Sequence, residues 1–130
     1  MQYLLLIYED EKVWVDMPEA ERMRIYGEYM RYTDEIKKSG HWQAGAPLQP
    51  THTATTVRVR AGKAAITDGP FAETREQLGG YYLVEAKDLD EAHRAGRADP
   101  RRQIGLDRDP PGVAARLDPR RAEASRLRVE

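Results

Sequence analysis

At 130 residues, with 21 Lys and Arg against 22 Asp and Glu, the chain suits one domain with one modest core, and its formal charge of -1 gives no overall electrostatic pull toward nucleic acid or an anionic membrane. It contains no cysteine, which excludes disulfides, thiolate metal ligands and a thiol nucleophile. The near-neutral total hides a division: residues 1–92 carry 11 basic against 16 acidic side chains, whereas residues 93–130 carry 10 against 6.

Tyr3 to Tyr8 is a continuous apolar run closed by Glu9-Asp10-Glu11, which predicts a strand buried on both faces and central in a sheet. The run is too short for a membrane span or a signal sequence and has no basic residues before it, so a cytoplasmic protein is expected. Asp16-Met17-Pro18-Glu19 predicts a helix start, with Asp16 as N-cap and Glu19 completing a capping box. Ile25, Tyr29, Tyr32 and Ile36 then recur on one helical face, and Ser39-Gly40 ends the helix.

Thr53 to Arg60 alternates with a period of two, which predicts a half-buried strand. Ala61-Gly62 turns it into a second strand over Lys63 to Thr67, and Asp68-Gly69-Pro70 reverses the chain again. A charged half-helix is expected next, then a strand over Gly80 to Ala86, then a helix opening at Asp88-Leu89-Asp90-Glu91-Ala92. Gly79-Gly80 suits chain reversal and close backbone approach better than ligand contact. The order β, α, β, β, β, α predicts an α+β protein, a ferredoxin-like sandwich with an antiparallel sheet, which needs one last strand. Residues 93–130 do not offer it plainly: they hold no aromatic residue and no lysine, and Arg, Ala, Pro, Asp and Gly dominate. Low order is expected beyond about residue 93.

No phosphate-cradling loop, nucleophile elbow, zinc-protease motif or dinucleotide fingerprint is present. His41 and Asp68 are the best catalytic candidates, since an imidazole moves protons near neutral pH and a carboxylate on its second nitrogen fixes the tautomer. The alternative makes Asp68 a turn residue and His41 a partly exposed residue after a helix. Arg58 and Glu73 are candidate substrate contacts, with solubility on an exposed surface as the competing role. Tyr81 and Tyr82 point to opposite sheet faces, so at most one reaches a pocket, and Tyr82 is taken for that role. His52 lies in a polar loop with no acidic neighbour in sequence.

The run from Thr67 through Asp68-Gly69-Pro70-Phe71 to Leu83, with Leu48-Gln49-Pro50 and Thr53 to Arg58 before it, resembles the YCII-related proteins of the DGPF type over residues 1–92. The resemblance implies a dimeric α+β barrel, hence a homodimer, with a His/Asp pair in a cleft beside the sheet. His41, in Gly40-His41-Trp42, matches a histidine frequent in that type, and Asp68 is the motif aspartate. Relatives of that fold include isomerases and a dehydrochlorinase, which implies proton transfer or elimination on a small oxygenated or aromatic acid, with no cofactor and no metal. Proximity of such proteins to extracytoplasmic-function sigma factors implies the other reading, a regulatory or interaction module that does not touch nucleic acid itself. The family's usual ending, a helix followed by G-S-I-E-I-R-P, can be recovered from the start of the tail by a one-nucleotide shift near codon 92. The expectation is therefore a family domain at 1–92 followed by an atypical tail at 93–130, read out of frame by that shift.

Overall fold

In the computed structural model, which describes residues 1–97 and 113–116, strand β1 (Gln2–Glu9) sets the frame. Its alternation sends Tyr3 and Leu5 into the core and leaves Leu4 and Leu6 half-buried on the opposite face. The run expected to be buried on both faces is thus fully buried on one. β1 is central, as its sequence implies, flanked by β5 (Gln77–Glu85) and β6 (Val113–Arg116), both antiparallel to it. β2 (Trp42–Pro47) pairs with the far side of β5, so the sheet order is β2-β5-β1-β6. With helical crossovers from β1 to β2 and from β5 to β6, this is the ferredoxin-like α+β arrangement.

A short helix absent from the sequence reading, α1 (Glu11–Asp16), follows β1, with the Asp10 carboxylate accepting from the Lys12 N–H at 3.0 Å. Asp16 therefore closes α1 and does not cap the next helix; α2 (Glu19–Lys38) starts after Pro18 with no side-chain cap. Ile25, Tyr32 and Ile36 are the buried face of α2, Tyr29 packs partly beside them, and Gly40 leaves the helix at φ 79°, a left-handed turn open to glycine. The core joins Tyr32 and Ile36 to Tyr3, Leu5, Tyr82, Val84, Ala86 and Ala92.

Helix α3 (Leu89–Arg97) begins with a reciprocal cap, in which the Glu91 N–H donates to Asp88 Oδ1 at 2.8 Å and the Lys87 N–H donates to Glu91 Oε2 at 2.7 Å. The Tyr32 hydroxyl ties α2 to it by donating to the Ala95 carbonyl at 2.8 Å. α3 thus runs past Ala92, and Val113–Arg116 takes the last strand position beside Tyr3 to Leu6. The remaining expectation for the tail falls on residues outside the described ones.

β3 (Thr55–Arg60) and β4 (Lys63–Asp68) form the expected hairpin, with Ala61 and Gly62 at φ 50° and 75° in its turn. They pair with each other in a separate two-stranded sheet, and the edge place in the main sheet belongs to β2, a strand that the sequence pattern does not predict. Gly45, Pro47 and two alanines give that segment little strand propensity, but an edge tolerates the missing proline N–H. The expected half-helix after Pro70 is irregular chain instead, pinned by the Thr74 hydroxyl donating to the Glu76 carbonyl at 2.6 Å. Among the described residues no helix is long and apolar enough to cross a membrane.

Candidate functional site

Three glycines of the sheet line a cleft, and each gives the space a side chain would take to a neighbouring group. Gly45 on β2 and Gly79 and Gly80 on β5 all line a cavity of about 1020 Å³ between the sheet, α1, α2 and the chain after β2. A Cβ on Gly45 would stand 2.9 Å from the Tyr81 carbonyl and 3.0 Å from the Trp42 ring, and one on Gly80 would stand 3.1 Å from the Ala46 carbonyl. The close backbone approach expected of Gly79-Gly80 is present, but within a strand and not at a reversal.

Gly79 has a further role. The β1–β5 register slips there, since Ile7 faces Gly80 while Tyr8 faces Leu78, leaving Gly79 as the extra residue of a β-bulge. Glu9 shares its face of β1 with Tyr3, Leu5 and Ile7, so an acid follows three apolar residues on the helix-covered side. Its carboxylate lies where a side chain at position 79 would start, with its Cγ 2.9 Å from that point.

Aromatic side chains wall the cleft. Trp14 from α1 meets Tyr26 edge to face at a centroid distance of 5.4 Å, and Trp42 meets Tyr82 in the same manner at 5.8 Å. The Tyr82 hydroxyl donates to Thr33 Oγ1 at 3.0 Å, because the Thr33 proton is already directed to the Tyr29 carbonyl at 2.8 Å. The Lys37 ammonium stands over the Trp42 ring at 5.0 Å. At the other end, Glu11 accepts the Thr51 N–H at 2.7 Å and the Thr51 hydroxyl at 2.9 Å, which binds α1 to the loop carrying His52 and brings that histidine to the cleft.

Of the residues singled out from sequence, Tyr82 lines the cleft, and so do His52 and Tyr81, which corrects the expectation that at most one of the two tyrosines reaches a pocket. His41 lies between α2 and α3: its Nδ1 is 2.7 Å from Ser39 Oγ and its Nε2 is 3.7 Å from a Glu91 carboxylate oxygen. Ser39 already donates to the Ile36 carbonyl, so His41 Nδ1–H is the donor to Ser39. That histidine with its own caps leaves the Glu91 carboxyl below its usual value, chiefly through the Lys87 N–H bond, opposed by burial and aided by the His41 charge. Asp68 is exposed at the end of β4, opposite Thr55 in the separate hairpin. The structure thus gives the His41 ring to Glu91 and Ser39, not to Asp68. Arg58 donates to the Phe71 carbonyl at 2.8 Å, bracing the Gly69-Pro70 turn, and Glu73 is exposed in the irregular chain. Glu9, Glu11 and Trp14 were not found from sequence; the one available signal was an acid placed in step with the apolar face of β1. Among the described residues, no three His, Asp or Glu side chains gather as metal ligands.

The family model for the YCII-related domain matches residues 1–109. An uncharacterised protein of Rhizobium meliloti, R00369, is 39% identical over 92 residues, covering 71% of this chain and 74% of that protein. The chain belongs to the YCII-related family. Among solved structures, 5-chloro-2-hydroxyhydroquinone dehydrochlorinase of Burkholderia phenoliruptrix, in complex with 2,5-dihydroxybenzoquinone, is 20% identical with a TM-score of 0.48, over 91% of this chain and 94% of that one.

Proposed function

We propose that this YCII-related protein binds a small organic molecule with a flat or apolar body in the aromatic cleft, and moves a proton on it. The observation that carries this is the cleft itself: three glycines on its sheet side, Trp14, Tyr26, Trp42 and Tyr82 as walls, and ionisable Glu9 and His52 on the lining. The proton-transfer role read from sequence moves from His41 and Asp68 to these groups, because neither His41 nor Asp68 lines the cleft. The protein acts as a homodimer, for Leu4 opposite Leu83 and Leu6 opposite Tyr81 make an apolar strip on the sheet face away from the helices.

The test begins with an NMR screen of aromatic fragments, read at the indole N–H signals of Trp14 and Trp42. Binders with an acidic C–H are then followed in D2O. Catalysed exchange that falls at least tenfold in Glu9→Gln or His52→Gln is the expected result. Exchange that instead falls in His41→Ala restores the sequence-based pair, and binding with no exchange leaves a binding protein without chemistry.

One observation favours a second reading, an interaction module linked to a sigma factor. Val57, Val59, Ile66 and Phe71 on and beside the hairpin are 59%, 68%, 72% and 76% exposed, more apolar surface than a free two-stranded hairpin needs to carry. Co-purification of the sigma factor with the wild type and not with Val59→Lys is the outcome that reading requires.

A further inference from the structure

Helix α1 is six residues long, too short to be stable by itself, and none of its residues is buried. Yet it carries Trp14, one wall of the cleft. His52, also on the lining, sits in the single helical turn Thr51–Thr53, which follows Pro50 and likewise has no buried residue. One side chain joins the two. Glu11, the first residue of α1, accepts the Thr51 N–H on Oε1 at 2.7 Å and the Thr51 hydroxyl on Oε2 at 2.9 Å, so both carboxylate oxygens engage the residue next to His52. The Thr51 N–H is a first-turn donor, for which a helical turn supplies no acceptor of its own, and a carboxylate is the stronger kind of partner for it. The backbone of Glu11 reaches a third segment: its N–H donates to Gln77 Oε1 at 3.1 Å, and Gln77 Nε2 donates in turn to the Thr74 carbonyl. Helix α1, the turn that carries His52 and the start of β5 therefore meet at one residue.

Resting on the reading of this cleft as the ligand site, we infer that Glu11 is its positioning residue, fixing Trp14 and His52 relative to each other before the ligand arrives. The aromatic body of the ligand and the imidazole then meet in a set geometry, with the ordering of two short, exposed segments already accomplished. Glu11 does this as a hydrogen-bond acceptor and not as a carrier of protons, because both of its oxygens face Thr51. That distinction has a consequence for substitution. A glutamine at position 11 keeps the junction: its amide oxygen accepts the Thr51 N–H, and its NH2 donates to the Thr51 hydroxyl oxygen, which turns its own proton away. An alanine keeps neither bond. A carboxylate that itself exchanged protons with the ligand, or bound it by charge, would be lost equally in both variants.

The test compares the full chain with Glu11→Ala, Glu11→Gln and Thr51→Val by NMR, in buffer without denaturant, with coumarin as a flat, uncharged aromatic probe. In the free protein, Glu11→Ala is expected to shift or broaden the Trp14 indole N–H and the His52 ring signals while leaving the Trp42 indole N–H in place, and Glu11→Gln to keep all of them near their wild-type positions. Coumarin is expected to bind Glu11→Ala about fivefold to tenfold more weakly than the wild type, the scale of ordering a loosened side chain or two on binding, and Glu11→Gln within about twofold of the wild type. Thr51→Val, which removes one of the two donors, is expected to fall between them. A merely structural role does not give this pattern, since lower global stability moves the urea midpoint and not the affinity of the molecules that stay folded. Unmoved Trp14 or His52 signals in Glu11→Ala, coumarin affinity equal to that of the wild type, or equal weakening in Glu11→Ala and Glu11→Gln each overturns the positioning role and leaves the cleft reading standing. No saturable shift in the wild type overturns both.

Discussion

Gly45 shows how a single missing side chain shapes the cleft. The space a Cβ would enter is closed by the Tyr81 carbonyl and the Trp42 ring, one of them backbone and neither able to withdraw freely. Gly45→Ala is therefore expected to cost about 1–3 kcal/mol by overpacking, seen as a lower urea midpoint with an unchanged slope. Ile25, 1% exposed on α2, has the opposite character: Ile25→Ala removes buried volume and is expected to cost about 2–5 kcal/mol by the same measurement. Glu91 adds a pH dependence. Its carboxyl in the folded chain lies below the ordinary value of 4.5, so its contribution is fully present above 4.5 and is lost as pH falls from there through the lowered folded value. Acid unfolding of Glu91→Gln is accordingly expected to show a flatter limb below pH 4.5 than the wild type, with the two curves parallel above it.

At the scale of elements, α2 is legible because a repeating apolar pattern records a buried face, β1 because of its continuous apolar run, and α3 because Asp88 to Glu91 forms a helix cap. Ile25, Tyr32 and Ile36 announce α2 in this way, and Tyr3 to Ile7 announce β1. β2 was not legible, since an edge strand with a glycine floor has little side-chain pattern to repeat. α1 was hidden for another reason: six residues are too few to display a period, and only the Asp10 cap marks the start. Because α1 carries Trp14 and Glu11, missing it meant missing half the site. Asp10→Ala is expected to lose about 1 kcal/mol of local stability, read as faster amide exchange through Glu11 to Asp16 with α2 unaffected. The hairpin illustrates the limit of periodicity from the other side. Its alternation was read correctly, but alternation cannot say whether the apolar face meets its own core, and here Val57, Val59 and Ile66 do not.

For the whole molecule, the division of labour follows from the two faces of one sheet. Helices α2 and α3 cover Tyr3, Leu5, Tyr82 and Val84, while Leu4, Leu6, Tyr81 and Leu83 form the other face. In the proposed homodimer that second face is buried, so Leu83→Asp is expected to shift the protein from dimer to monomer in sedimentation equilibrium; an unchanged mass would place the dimer contact elsewhere. The cleft sits at the open side of the helix layer, where α1 and the sheet part over three glycines. Both tryptophans of the chain, Trp14 and Trp42, line it, so intrinsic fluorescence reports on its occupancy. The measurement that tests the central claim most directly is a fluorescence titration of an aromatic fragment library against the wild type and Met30→Arg, a change at an exposed lip residue of α2. Saturable changes in the wild type that weaken at least tenfold in the variant are the predicted result. Saturable binding indifferent to Met30→Arg, or none across the library, would contradict the cleft as the site of function.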